Sequence, residues 1–311
     1  MARHRGGNYS LAPMSRPLPD VRRRARQATL LLPDGLVARL PSRLAARVEA
    51  VRDWQRNDPF RVPGSVSPLD NVAYNRSLWN WYATRWDDRE FQRWNLEREG
   101  KPGSEVRSLR TLGDEWGDAE AVQQVISEWI HPHIGADSVV GEVGTGGARI
   151  ASLVAPEAGE FHAFDVAPLM LERARRRLQG IPNCHFHVVD RPALPVELGG
   201  RMDFVYSFDV FVHLDLHTQW SYLREFARVL KPGGRAFVHT ANLLSEEGWK
   251  RFEDQGGYRV EGFYFVVPQL VQELCRRAGL RIVTELAGGA GNFYYERDYL
   301  ALLEKPAAPA G

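Results

Sequence analysis

Cysteine is almost missing from this chain of 311 residues, where Cys184 and Cys275 stand alone and without metal-like spacing. That excludes a disulfide-stapled scaffold, gives no sign of a metal site and fits a reducing, cytoplasmic setting. Net charge is nearly missing as well. A formal +1 at pH 7 gives no overall field toward nucleic acid or a membrane surface. No apolar run is long enough to span a bilayer, and nothing resembles the apolar core of a signal peptide. There is no internal repeat.

What is present is unevenly placed. Residues 1–56 hold twelve arginines against four acids, so the rest of the chain sums to −7. In the first thirty residues those arginines are mixed with Pro, Gly and Ala, which predicts a flexible basic extension over 1–30. A helical, Trp-rich segment is expected over 31–116, with Trp79, Tyr82 and Trp86 on one face at spacings of three and four. From 117 to 305 short apolar runs alternate with amphipathic stretches, the pattern of a mostly parallel α/β sheet. A short flexible tail, 306–311, closes the chain. At 44% hydrophobic residues, one large core or two modest ones can be buried.

Within 117–305 the expected elements follow in order. DAEAVQQVISEWIHPHI reads as a helix that buries Val122, Val125, Ile126 and Trp129. SVVGEV, FHAFDV, CHFHVV, DFVYSF and RAFVHT read as five strands, RIVTEL and DYLALLEK as two more. Pro168 suits the first turn of a helix whose inner face carries Leu171, Ala174 and Leu178. HTQWSYLREFARVL is a helix with Trp220, Leu223, Ala227 and Leu230 in register, stopped by KPGG. PQLVQELCRRAGL is another, with Leu270, Val271, Leu274 and Cys275 on its apolar side. The last two strands are joined by the Gly-rich AGGAGN rather than by a helix, which predicts an antiparallel hairpin.

The stretch VVGEVGTGGARI, residues 139–150, follows the first strand with an acid and three glycines in four positions. Such a turn lets the backbone approach a ligand closely, and the following helix is expected from about Ala148. A dinucleotide fingerprint would want a small sixth residue where Arg149 stands, which weakens the nicotinamide reading. EVGTGGA instead resembles motif I of the class I S-adenosylmethionine-dependent methyltransferases, with Ala148 where a third glycine is usual. Later motifs are similar to that family in order and spacing. Asp165 ends the second strand, Asp190 follows the third, SFDVFVHLD follows the fourth, and LKPGG precedes the fifth.

The resemblance implies a seven-stranded Rossmann-like sheet and S-adenosyl-L-methionine as cofactor. It places Glu142, Gly144, Thr145 and Gly146 around the cofactor, with Glu142 facing its ammonium. Asp165 and Val166 fall at the ribose, Asp190 and Arg191 at the adenine, Ser207 and Asp209 at the methionine end. Each has a plainer alternative: Asp165 as a helix cap, Asp190 as a ligand or a cap, Asp209 as a cap or the partner of a nearby arginine. His213 is the candidate general base, with His217 second; its unperturbed pKa of about 6.5 suits proton transfer. His131 and His133 read as structural, while His239 sits in a buried strand. Tyr74, Trp79 and Tyr82 are candidates for a lid over the cofactor, and the same residues serve equally as core.

Missing patterns narrow the acceptor. SFDV is not the N/D-P-P-Y/F loop of enzymes acting on exocyclic nitrogens, no Pro-Cys pair is present, and TANL lacks the Asp-Asn of Mg²⁺-dependent relatives. The expectation is methylation of a hydroxyl on a small molecule, a sugar or a secondary metabolite. N- or C-methylation, a nicotinamide-dependent oxidoreductase and a silent binding scaffold are the alternatives. Neither nucleic acid nor a membrane is expected as partner, and oligomeric state is not encoded.

Overall fold

A computed structural model describes residues 70–85, 119–257 and 262–307. The extension over 1–30, Trp86, the remainder of the Trp-rich segment outside 70–85, and the end of the C-terminal tail lie outside the described residues. Among those described, no helix is long and apolar enough to cross a membrane.

The order is α1 (Asn71–Arg85), α2 (Ala119–Trp129), β1 (Val139–Val143), α3 (Ala151–Val154), β2 (Glu160–Asp165), α4 (Pro168–Arg177) and β3 (Cys184–Val188). Then come β4 (Met202–Ser207), α5 (Leu216–Val229), β5 (Leu230–Ala241), α6 (Glu246–Gln255), α7 (Pro268–Ala278), β6 (Arg281–Leu286), α8 (Phe293–Arg297) and β7 (Asp298–Glu304). All seven expected strands form one sheet, in the order β3-β2-β1-β4-β5-β7-β6. β1 to β5 are parallel, and β7 inserts antiparallel between β5 and β6. The order reverses between β1 and β4, and in open sheets of this kind ligands bind beyond the carboxyl ends of the strands at such a point.

Burial explains the pattern. β1, β2 and β4 are covered on both faces, which is why their sequences run apolar rather than alternating. The edge strands β3 and β6 are half exposed. One apolar layer joins Val122, Ile126 and Trp129 to Phe161, Leu171 and Phe237; the other joins Phe164 and Val205 to Leu223, Phe226, Val271 and Cys275. Four of the expected inward positions on α2, and all three on the α4 stretch, are buried.

Three expectations change. The inner face of α5 is Thr218, Gln219, Tyr222, Leu223, Phe226 and Val229, so Trp220 and Ala227 lie at its flank. The stripe is wide enough that both registers share Leu223, and the larger apolar set wins. The helix after the glycines starts at Ala151 rather than Ala148, because Ala148 itself has φ +65° and cannot belong to a right-handed turn. The segment between β6 and β7 contains a five-residue helix, α8, capped by the side chain of Asn292. The antiparallel pairing of the two strands stands regardless.

Candidate functional site

The glycine turn leaves the end of β1 and is pinned to β2. The amides of Gly144 and Thr145 both donate to the Phe164 carbonyl, at 2.8 and 3.1 Å. Gly144 (φ +80°) and Gly146 (φ +55°) are bare for different reasons. A Cβ on Gly144 would lie 2.3 Å from a Val210 methyl, whereas one on Gly146 would meet no protein atom closer than 4.0 Å. The first glycine admits a neighbouring side chain. The second leaves open space.

Two acids adjoin the turn: Glu142 precedes it in β1, and Asp165 reaches it from the tip of β2. Glu142 is 2% exposed, and its Oε2 has no hydrogen-bond partner. Burial pushes its carboxyl up to about 8, although the hydroxyls of Thr145 and Tyr206 nearby pull the other way. Asp165, at the tip of β2, accepts the Gly146 amide at 2.7 Å and the Ala167 amide at 2.8 Å. Burial raises it to about 6 against the pull of those amides. The capping alternative is thus partly realised through Ala167, while the carboxylate also faces the turn. Val166 is half-buried beside it.

The remaining expected positions lie at the same end of the sheet. Asp190 and Arg191 are exposed beyond the end of β3. Thr145 is buried, its hydroxyl donating to the Glu142 carbonyl at 3.2 Å. Ser207 is fully buried and donates to the Val143 carbonyl at 3.0 Å, tying β4 to β1. Asp209 adopts φ +58° and turns its carboxylate to protein groups: Arg149 Nη2 at 2.5 Å and the Tyr294 hydroxyl at 2.6 Å. The arginine-partner alternative describes what its side chain does here.

His213 lies at the end of a short helical turn after β4 and is 9% exposed. Its ring packs edge-on between Trp79, at 5.5 Å, and Phe263, at 5.7 Å. Nδ1 lies 3.1 Å from the Gly262 carbonyl, to which it donates, leaving Nε2 as the lone-pair nitrogen. Burial lowers its pKa to about 4, against the opposing Gly262 bond, so the ring is neutral at pH 7. His217 is exposed. His133 stacks on Phe204 at 5.8 Å, in keeping with a structural part. His239 is fully buried, with Nε2 donating to Asp298 at 2.8 Å. Among the described residues, no group of three His, Cys, Asp or Glu could hold a metal ion.

Helix α1 packs against the loops at this end of the sheet. Asn71 and Asn75 donate to the His213 carbonyl at 3.2 and 3.3 Å. Arg76 donates to the Val166 carbonyl at 3.1 Å and to that of Val189 at 3.5 Å. Arg173 returns two donors to the Ala83 carbonyl, and the Leu169 amide donates to Asn80. Tyr82 is buried in a small cluster with Ala83, Ala167 and Met170, against which Trp79 packs at its edge. Trp79 also donates to Asn75 at 3.2 Å, while Tyr74 is half-buried. Asn71, Asn75, Arg76 and Tyr294 were not singled out from sequence. The i, i+4 spacing of the two asparagines was visible, but their partner lies more than 130 residues away.

The chain is similar to known proteins over the same region. Residues 140–234 match a family model described as a methyltransferase domain. A ubiquinone biosynthesis O-methyltransferase of Xanthomonas oryzae pv. oryzae (strain PXO99A) is 27% identical over 148 residues, 45% of this chain and 61% of that protein. One from Xanthomonas axonopodis pv. citri (strain 306) is 25% identical over 200 residues, 58% of this chain and 81% of that protein. The chain therefore spans about 61% of the length of the first relatives it matches. A chain of the complex containing the Haloferax volcanii Trm112 methyltransferase activator superposes with TM-score 0.50 at 17% identity, covering 73% of this chain and 97% of that one; this likeness is one of fold. The sheet order and the match over 140–234 converge: this part of the chain is similar to a methyltransferase domain, on a sheet ordered like that of the class I S-adenosylmethionine-dependent enzymes.

Proposed function

We propose that this protein transfers a methyl group from S-adenosylmethionine to a hydroxyl of a small molecule. The observation that carries the reading is the buried Glu142 Oε2, without a hydrogen-bond partner, in the strand that leads into a turn with open space at Gly146. A buried carboxyl oxygen left without a partner is costly, and a ligand ammonium is a group that would both satisfy it and favour the ionised form. S-adenosylmethionine supplies that ammonium together with an already activated methyl group.

The other residues fit the same ligand. Asp165 has lone pairs beyond those used by the two amides, suited to a ribose diol in charge-assisted bonds worth roughly 1.5–3 kcal/mol each. Val166, and Asp190 with Arg191, border the ribose and adenine ends; Thr145 and Ser207 shape the floor through their backbone bonds. Helix α1 would act as a lid, with Trp79 and Tyr82 excluding water and Tyr74 at its edge. Alignment of this kind can remove about 7–11 kcal/mol of a barrier.

His213 is the proposed base. The Gly262 bond fixes the tautomer with Nε2 unprotonated, and the proton of the acceptor hydroxyl would pass to that nitrogen. Its lowered basicity means that the transfer accompanies methyl transfer and does not precede it. Hydroxyl acceptors are favoured by this base, by the SFDV loop and by the O-methyltransferase names of the relatives. Titration calorimetry with S-adenosylmethionine and S-adenosylhomocysteine tests the cofactor, and turnover across sugars, phenols and amines tests the acceptor. Turnover of amines alone would displace the hydroxyl reading.

A further inference from the structure

We propose that Arg149 and Asp209 form a positioning pair, which sets cofactor affinity by holding two strained loops in their binding shape without touching the ligand. The inference rests on the methyltransferase reading above and extends it to residues that line the loops from behind.

Strain is what draws attention to the pair. Among the described residues, Ala148 (φ +65°) and Asp209 (φ +58°) are the two non-glycine positions in the left-handed region. A side chain there is unfavourable and persists only where the surroundings over-determine it. One residue belongs to the glycine turn after β1, the other to the loop after β4. These are neighbouring strands, at the point where the sheet order reverses.

A single ion pair joins the two loops. Arg149, next to Ala148 in the chain, places Nη2 2.5 Å from Asp209 Oδ2, with the two side chains only 11% and 16% exposed. Asp209 is held from other sides too. The Tyr294 hydroxyl donates to the same oxygen at 2.6 Å, and the Asp209 amide donates to His239 Nδ1 at 3.1 Å. His239 Nε2 and Arg297 Nη2 both reach Asp298 Oδ2, at 2.8 and 2.6 Å. His239 Nδ1 accepts, and the network pairs two arginines with two aspartates. Such balance is what makes burial of the charges tolerable. Val210, beside Asp209, fills the space left by Gly144, so the same loops are also packed directly together.

A network that served only global stability would change the melting temperature and leave the affinity of the folded protein alone. The positioning role moves affinity. Calorimetric titration of the full chain with S-adenosylhomocysteine separates the two, using Arg149→Met, Tyr294→Phe and the double variant Ala148→Gly/Arg149→Met. Arg149→Met should raise Kd by about tenfold or more, and Tyr294→Phe by about threefold. Adding Ala148→Gly should recover most of the lost affinity, because glycine holds a positive φ without help. An Arg149→Met protein that binds within about twofold of wild type, or a folded double variant showing no recovery, would overturn the proposal. If Arg149→Met does not fold, an unchanged Kd in Tyr294→Phe does the same. Failure of the wild-type chain to bind would strike the functional reading itself, separately from the pair.

Discussion

Asp165 Oδ2 lies 2.7 Å from the amide nitrogen of Gly146. The acid at the tip of β2 is thereby part of the wall of the glycine turn, and the two features seen separately in the sequence are one structure. Any ligand seated against Gly146 also faces that carboxylate.

Removing this acid should therefore act on binding first. Asp165→Ala is expected to weaken S-adenosylhomocysteine binding by at least about tenfold, or ~1.4 kcal/mol. Calorimetry on the folded variant checks this. An unchanged dissociation constant would take Asp165 out of the site.

Glu142 leads to a proton count. Burial raises its carboxyl from 4.5 to about 8, so it is protonated in the free protein at pH 7. Its contribution to free-protein stability is then fully present below the unfolded value of 4.5 and lost as pH rises through about 8. A ligand ammonium reverses the preference and ionises it. Binding at pH 7 should release close to one proton, and affinity should rise with pH up to about 8. Titrations in buffers of different ionisation enthalpy measure the release. Glu142→Gln should abolish it, and an equal release from that variant would assign the proton elsewhere.

The two glycines of the turn should separate stability from binding. Gly144→Ala places a methyl 2.3 Å from Val210 at φ +80°, so it should destabilise the free protein by roughly 2–4 kcal/mol. Gly146→Ala meets open space at φ +55° and should cost the free protein only about 1 kcal/mol, yet reduce cofactor affinity far more. Thermal denaturation alongside calorimetry reads both. Similar losses of affinity per unit of lost stability would remove the distinction.

His213→Ala should lower turnover by about 10²–10⁴-fold while changing cofactor affinity by less than about threefold. Single-turnover kinetics with an identified acceptor is the measurement. His213→Asn, which can keep a donor toward the Gly262 carbonyl, should fold normally and remain slow. Full activity in either variant would give the ring a packing role alone.

Much of the fold was legible because its signals are local. Alternation of apolar runs, Pro168 at a helix start and the spacing of acids after strands depend on nearby residues, and all seven strands formed near where those signals put them. KPGG, expected to stop α5, instead lies inside β5, which begins at Leu230. The α5 register was less legible, because an aromatic at Trp220 reads like core until the neighbouring layer is known.

From its residues alone, the chain specified the parallel sheet, the bare turn after the first strand, and the acids at the strand tips. Each of these is dictated by backbone conformation or burial within a few positions. Tertiary structure alone decided which groups are spent inside the protein and which are left without a partner. Asp209 is taken by Arg149 and Tyr294, the His213 carbonyl by Asn71 and Asn75, and Glu142 keeps an oxygen without a partner. The reason is physical: such pairings join residues 60 to 142 positions apart, and spacing along a chain carries no record of which distant group fills a given lone pair.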